Sequence, residues 1–259
     1  MSVLSEILSR RYLLFQLSAR EIKSRYKQSY LGIAWAVIQP LALMTIFSII
    51  FTKVIRIEIK DYPYPIFVYS GLLLWGLFSR SLTLLTDSMV SNANLIRRVY
   101  FPRQMFLLSG IAARLVDFAI AFLIYFVLMI VYRVRPTSHF LWSVPIVGIV
   151  CCLALGVSLF TSALQVFRRD VSAVMRLVVQ VWFYATPIIY PLDRVPARWR
   201  WVSYLNPMTG AVEGFKDAVL RGRTPDLGLL GISVATTAAL LVLGSAFFAR
   251  AERQFADLI

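Results

Sequence analysis

The chain has 259 residues, 59% of them hydrophobic, a mean hydropathy of +0.73 and a formal net charge of +14. Several apolar runs reach about 20 residues, enough to cross a ~30 Å hydrocarbon layer, whereas a soluble domain breaks such runs at the period of a helix or strand. A β-barrel would show short alternating strands, and nucleic acid is a poor partner for the charge, because the cations sit at the ends of apolar runs, where membrane proteins keep them.

The pattern therefore predicts an all-α polytopic membrane protein, a single membrane domain over residues 1–259. At the N-terminus, Arg10 to Gln28 mixes Tyr12, Leu13, Phe15, Leu17, Ile22 and Tyr26 with Arg20, Lys23, Arg25 and Lys27. This predicts an amphipathic helix lying in the membrane interface; an ordinary surface helix would carry the same pattern. Arg10 and Arg11 precede a mixed stretch rather than a clean apolar core, so no cleavable signal is expected.

Six spans follow, over about 31–52, 64–85, 105–132, 140–167, 174–190 and 227–248. Pro40 lies in the first and predicts a kink. Arg80 lies near the end of the second, where snorkelling to the interface and facing protein are both open. The polar stretch Thr86 to Gln104 predicts a short helix over 94–99 that ends before Pro102. Arg114 and Asp117 sit one turn apart in the third span, as a pair on one helix face would. The fourth is rich in small residues, Gly148, Ala154, Gly156, Ser158, Ser162 and Ala163, which permit close helix approach.

The fifth span is broken. Pro187 interrupts it and Pro191 closes it, and a bend in lipid is tolerated only where protein or a watery cavity satisfies the freed carbonyls. Asp193 to Trp201 is then dense in Arg, Pro and Trp. Residues 206–222 read as a short amphipathic helix with Glu213, Lys216 and Asp217 on a solvated face. Such elements between the fifth and sixth spans are expected to be interfacial or re-entrant. An even number of spans puts both termini on one side. The cations divide almost evenly between the two sides, but the dense N-terminal cluster favours termini inside.

Catalytic chemistry is not legible. No phosphate-cradling G-x-x-x-x-G-K-[ST] loop occurs. His139 is the only histidine, which disfavours a His-based metal site or triad. Cys151 and Cys152 are neighbours in an apolar run, with no disulfide or metal spacing. No cofactor is expected. The spans lack the series of central carboxylates of a proton-coupled carrier, so the energy for any transport is expected from another chain.

Tyr30-Leu31-Gly32-Ile33-Ala34-Trp35 with Gln39-Pro40 resembles the entry to the first span of ABC-2 type export permeases. Val166 to Val171, Thr186 to Pro191 and Leu205-Asn206-Pro207-Met208 resemble the polysaccharide branch of that family, whose members export O-antigen, teichoic acid or capsule; O-antigen permeases are the nearest in likeness. The resemblance runs in order along nearly the whole chain. It implies a homodimer of six-span subunits in the inner membrane with cytoplasmic termini, each bound to a separate ATP-binding subunit. It also implies a cargo linked to undecaprenyl diphosphate.

The same resemblance suggests roles for particular residues. Asn94, Arg97, Arg98 and Arg103 would meet the ATP-binding subunit. Trp182, Phe183, Tyr184, Tyr190, Trp199, Trp201 and Tyr204 are candidates for a polysaccharide path, since ring faces offer flat, weak contacts to sugar C–H groups; an interfacial aromatic belt is the alternative. Arg20, Lys23, Arg25 and Lys27 are candidates for the lipid diphosphate, with ordinary headgroup contact as the alternative.

Overall fold

The computed structural model describes residues 11–27, 34–56, 62–98 and 102–255, with side chains left out for 25–27 and 98. Every regular element among them is helical. The first helix, α1 (Arg11–Lys27), lies along α6 (Gln104–Val131), with Leu17 buried and Tyr12 and Phe15 exposed. The expected ends of α1 at Arg10 and Gln28 fall outside the described residues.

Five helices are long and apolar enough to cross a membrane. The first is α2 (Ala34–Ser48), which continues through a π-helical turn to Val54 and carries Pro40 inside it. The others are α3 (Tyr64–Thr86), α6, α7 (Ser143–Phe167, entered through a 3-10 turn at Ser138–Trp142) and α11 (Leu227–Ala251). These match five of the six expected spans; the start of the first, at 31–33, is outside the described residues. Between α3 and α6 run two short helices, α4 (Ser88–Ser91) and α5 (Ala93–Arg98).

The broken fifth segment differs from expectation in length. Its helix, α8 (Val171–Ala185), has 15 residues. At 1.5 Å per residue that is about 22 Å, short of the hydrocarbon thickness. The helix stops before Pro187 because Thr186, the residue preceding the proline, is pushed to an extended conformation, with φ −101° and ψ 136°.

The helix α3 is the axis of the fold. Its run Ile66 to Trp75 is apolar on every face but for Ser70 and Gly71, and a helix hydrophobic all round is buried. It packs against α2, α6, α7, α8 and the later helix α10 (Pro207–Val219). A one-turn helix, α9 (Arg200–Leu205), precedes α10.

The solvated face expected of α10 is a correction. All thirteen of its residues are buried, Glu213, Lys216 and Asp217 included. Amphipathic periodicity marks a polar face, and here that face meets protein partners rather than water. By contrast, Arg114 and Asp117 pair at 3.1 Å as their spacing implied.

Small residues set how closely helices approach. A Cβ on Gly244 would lie 2.4 Å from the Gly156 carbonyl oxygen, and one on Gly156 would lie 2.9 Å from the Leu241 nitrogen, so α7 and α11 touch backbone to backbone. Gly148, of the same small-residue series, has nothing within 4 Å of its Cβ position. Gly244→Ala is therefore expected to force α7 and α11 apart and lower stability by about 1–3 kcal/mol, the cost of overpacking. Gly148→Ala should be neutral. Thermal unfolding in detergent checks both, and equal melting temperatures would count against the contact.

Candidate functional site

The site is built around the end of α8. A helix that stops leaves its last carbonyls without intrahelical donors, and each buried orphan costs about 1–3 kcal/mol. Here each carbonyl from Trp182 to Pro187 has a donor. Thr186 covers two, its hydroxyl donating to the Trp182 oxygen at 2.9 Å and its N–H to the Phe183 oxygen at 3.3 Å. The Tyr190 hydroxyl donates to the Tyr184 oxygen at 2.9 Å, and Asn206 Nδ2 to the Ala185 oxygen at 3.3 Å. The Ile188 N–H reaches the Thr186 oxygen at 2.7 Å, and Lys216 Nζ the Pro187 oxygen at 2.6 Å. Beyond the break, the Tyr64 hydroxyl donates to the Ile189 oxygen at 2.7 Å.

Two of these donors come from α10. Asn206 is its N-cap: the side-chain oxygen accepts from the Met208 N–H at 3.0 Å and from Trp182 Nε1 at 2.8 Å. Asn followed by Pro at the first helical position favours this helix start. Lys216 is fully buried. Its ammonium lies 3.8 Å from the centroid of the Phe67 ring and 3.2 Å from Glu213. Burial pushes its pKa down, against the opposing pull of Glu213. Arg221 bridges Glu213 at 3.1 Å and Asp217 at 2.6 Å, and Arg223 reaches Asp217 at 2.8 Å. The buried carboxylates are thus paired, as burial of charge requires.

The segment past the break sits deep in the fold. Pro187, Ile188 and Ile189 are buried, and a Cβ on Gly71 would lie 3.0 Å from the Ile188 side chain and 3.2 Å from its backbone. Gly71 thereby admits the turned chain against α3.

In front of α8 lies a cleft of about 330 Å³ between α2, α3 and α8. Phe47, Trp75, Phe183 and Tyr184 line it together with Gln39, Ser79, Arg80, Arg176 and Gln180. Phe183 stacks on Phe47 with centroids 6.0 Å apart and meets the edge of Trp75 at 5.6 Å. Arg80 donates to Gln39 across the cleft at 3.1 Å.

The candidate path residues divide. Phe183 and Tyr184 line the cleft. Trp182 faces the other way, edge-on to Phe78 at 5.0 Å, with its N–H spent on Asn206. Tyr190 is half-buried and serves the break. Trp199, Trp201 and Tyr204 are exposed beyond it, outside the cleft.

The candidate cations divide as well. Arg20 is exposed and donates to Asn92, and Lys23 is exposed; the side chains of Arg25 and Lys27 lie outside the described residues. Asn94 and Arg97 are exposed on α5, and the Arg98 side chain is outside the described residues. Arg103 instead clamps the far end of the chain. It donates to the Glu252 carbonyl and lies 5.4 Å from the Phe255 ring centroid.

Sequence reasoning placed Lys216 on a solvated face and did not single out Tyr64 or Trp75. Only Asn206-Pro207 carried a local signal, that of a capped helix start. Among the described residues no cluster of His, Cys, Asp and Glu is arranged to hold a metal.

Comparison with known proteins bears on this geometry. The model of the ABC-2 type transporter family matches residues 12–220. The chain is 30% identical to an O-antigen export system permease protein RfbA of Klebsiella pneumoniae, over 95% of each chain. It is also 30% identical to the RfbA of Myxococcus xanthus, over 98% of each. A polysialic acid transport protein KpsM of Escherichia coli is 23% identical over 90% of this chain and 91% of its own.

Replacing Lys216 by Met should leave Glu213 buried beside one fewer cation and the Pro187 carbonyl without its donor. The expected loss is about 3–5 kcal/mol, the cost of breaking a buried ion pair. Tyr190→Phe removes one half-exposed bond and should cost only about 0.5–1.5 kcal/mol. Detergent melting curves of the two variants check the order, and a larger loss for Tyr190→Phe would overturn it.

Proposed function

The chain belongs to the ABC-2 type transporter family, and from that premise we propose that it is the membrane subunit of an ATP-driven exporter moving lipid-linked O-antigen polysaccharide across the inner membrane. The observation that carries this reading is the ring-lined cleft beside a helix that stops short. A polysaccharide needs a path with many weak, similar contacts. Ring faces supply them to sugar C–H groups without holding any one unit tightly. The likeness to O-antigen permeases over nearly the full chain supports the cargo class, and the weaker likeness to a polysialic acid transporter supports a polymer rather than a small molecule.

In this reading α8 and the turn after it act as the fifth of six crossings, and α10 is a re-entrant element on the periplasmic side. Residues 1–259 form a single membrane domain with cytoplasmic termini. Two copies face one another so that their clefts form one conduit, and each copy binds a separate ATP-binding subunit. The exposed Asn94 and Arg97, with Arg98 beside them, meet that subunit. Arg103, at the start of α6, is tied to the C-terminal segment through the Glu252 carbonyl.

The link from there to α8 is short. Gln165, buried at the end of α7, donates to Asp87 at 3.2 Å and accepts from the Ser172 N–H in the first turn of α8 at 2.8 Å. Movement of the Ser88 to Arg98 segment is thereby passed to the helix that lines the cleft.

Co-expression with an ATP-binding subunit, in cells lacking their own O-antigen exporter, tests the function. Surface polysaccharide should appear, and its absence with both subunits inserted would reject the reading. Arg97→Ala with Arg98→Ala should abolish stimulation of ATP hydrolysis without lowering inserted protein. Tyr184→Ala should slow export several-fold at unchanged protein level, as measured by pulse-labelled surface polymer.

A further inference from the structure

The cleft is graded from one end to the other. Trp182 meets Phe78, Phe183 meets Trp75 and Ile188 meets Gly71, so α8 runs antiparallel to α3 and Arg176 comes within about one turn of Arg80. Gln39 of α2 joins that end through its bond to Arg80, and Phe47 joins the other end by stacking on Phe183. One end is therefore cationic and amide-bearing, and the other is walled by rings. At 1.5 Å per residue the two ends are about 7–10 Å apart along the helices.

Among the described residues, no Asp or Glu lines the cleft. The carboxylate nearest by position, Asp117, lines a smaller adjoining void of about 20 Å³ and is paired with Arg114. Among the described residues, three arginines and one carboxylate line the two spaces, so positive charge predominates there. Arg176 has no hydrogen bond or ion pair with any described residue and is exposed to the opening. An arginine kept within apolar helices and aimed at a cavity marks a ligand path. The guanidinium fork suits phosphate oxygens, which it can bind two at a time.

We infer that the Arg80–Arg176 end of the cleft is a subsite for the diphosphate of a lipid-linked sugar, and that the first sugar ring lies against Trp75, Phe183 and Tyr184 at the other end. The inference rests on the exporter reading and says which part of the cargo this cleft holds. It moves the anion contact from the exposed cations of α1 to a cleft that Arg80 and Arg176 both line. The cationic end is the one nearer Asp87 and α4, the proposed cytoplasmic side, where a lipid diphosphate would enter. The alkyl chain would leave sideways between α2 and α8, past exposed Ile46 and Val181.

Binding to the purified complex with its ATP-binding subunit in nanodiscs tests this, with undecaprenyl diphosphate as probe and dioleoylphosphatidylglycerol as the competing anionic lipid. Arg80→Gln with Arg176→Gln should weaken undecaprenyl diphosphate about tenfold or more, the loss of two charge-assisted contacts, and leave phosphatidylglycerol unchanged. Arg176→Glu alone, at an exposed position that does not disturb packing, should weaken it as well. Arg80→Lys with Arg176→Lys should fall between the wild type and the Gln pair, since the charge stays but the two-pronged guanidinium contact is lost. Tyr184→Ala should weaken a glycosylated undecaprenyl diphosphate and spare the bare diphosphate.

Wild-type affinity in the Gln pair, or a parallel loss for phosphatidylglycerol, would overturn the subsite. If the wild-type complex still exports polysaccharide in either case, the exporter reading survives and the subsite alone falls. A wild-type complex that exports nothing on ATP would remove both.

Discussion

The fold depends on one requirement: a helix that breaks against the body of the protein must hand its last carbonyls to other donors. A buried carbonyl without one would cost free energy comparable to a lost hydrogen bond. Lys216, Asn206 and Tyr64 meet this demand from outside α8, and Thr186 and Tyr190 meet it from the break itself. Because Lys216 must reach Pro187, α10 has to lie inside the fold. A buried ammonium then requires carboxylates, and these in turn require Arg221 and Arg223. The charged network follows from the break rather than standing apart from it.

The packing of the remaining helices serves the same arrangement. The helix α3 is apolar on nearly every face because it is surrounded, and Gly71 is where the turned chain presses closest to it. Gly210 plays the matching part on the other side. A Cβ there would lie 2.4 Å from the Leu229 oxygen, so α10 can sink against α11 only with glycine at that position. With α10 inside, α8 is left on the flank of the bundle with no buried residue. The cleft is the gap that remains between α8, α2 and α3.

That gap is chemically uneven because its walls run through two environments. Toward Asp87 the helices carry Arg80, Gln39 and Arg176, and toward the break they carry Phe47, Trp75 and Phe183. The same helix that ends at the break begins at a tight junction. Gln165 is bonded at once to Asp87, to the Arg169 carbonyl and to Ser172. A rigid rod held at both ends, by an amide junction at one and a donor cluster at the other, can pass displacement along its length more readily than a loop.

Much of this was legible in the residues. Apolar runs of about 20 residues have few outlets other than a membrane-length helix, which is why five long helices fell where expected. Pro187 had to end α8, because the ring denies Thr186 a helical conformation. Gly156 had to permit a close approach, and Arg114 and Asp117 one turn apart had to meet if helical. The family likeness was legible too, in short motifs kept in order.

The sequence could not decide the surroundings of α10. An amphipathic pattern is the same whether its polar face meets water or buried partners, and the partners here are far along the chain. Lys216 is 29 residues from Pro187, and Tyr64 is 125 from Ile189. For the same reason it could not separate Trp182, which turns inward to Asn206, from its neighbours Phe183 and Tyr184, which face the cleft. Local chemistry determines where helices start, stop and break; only the three-dimensional packing determines what their polar atoms and rings find opposite them.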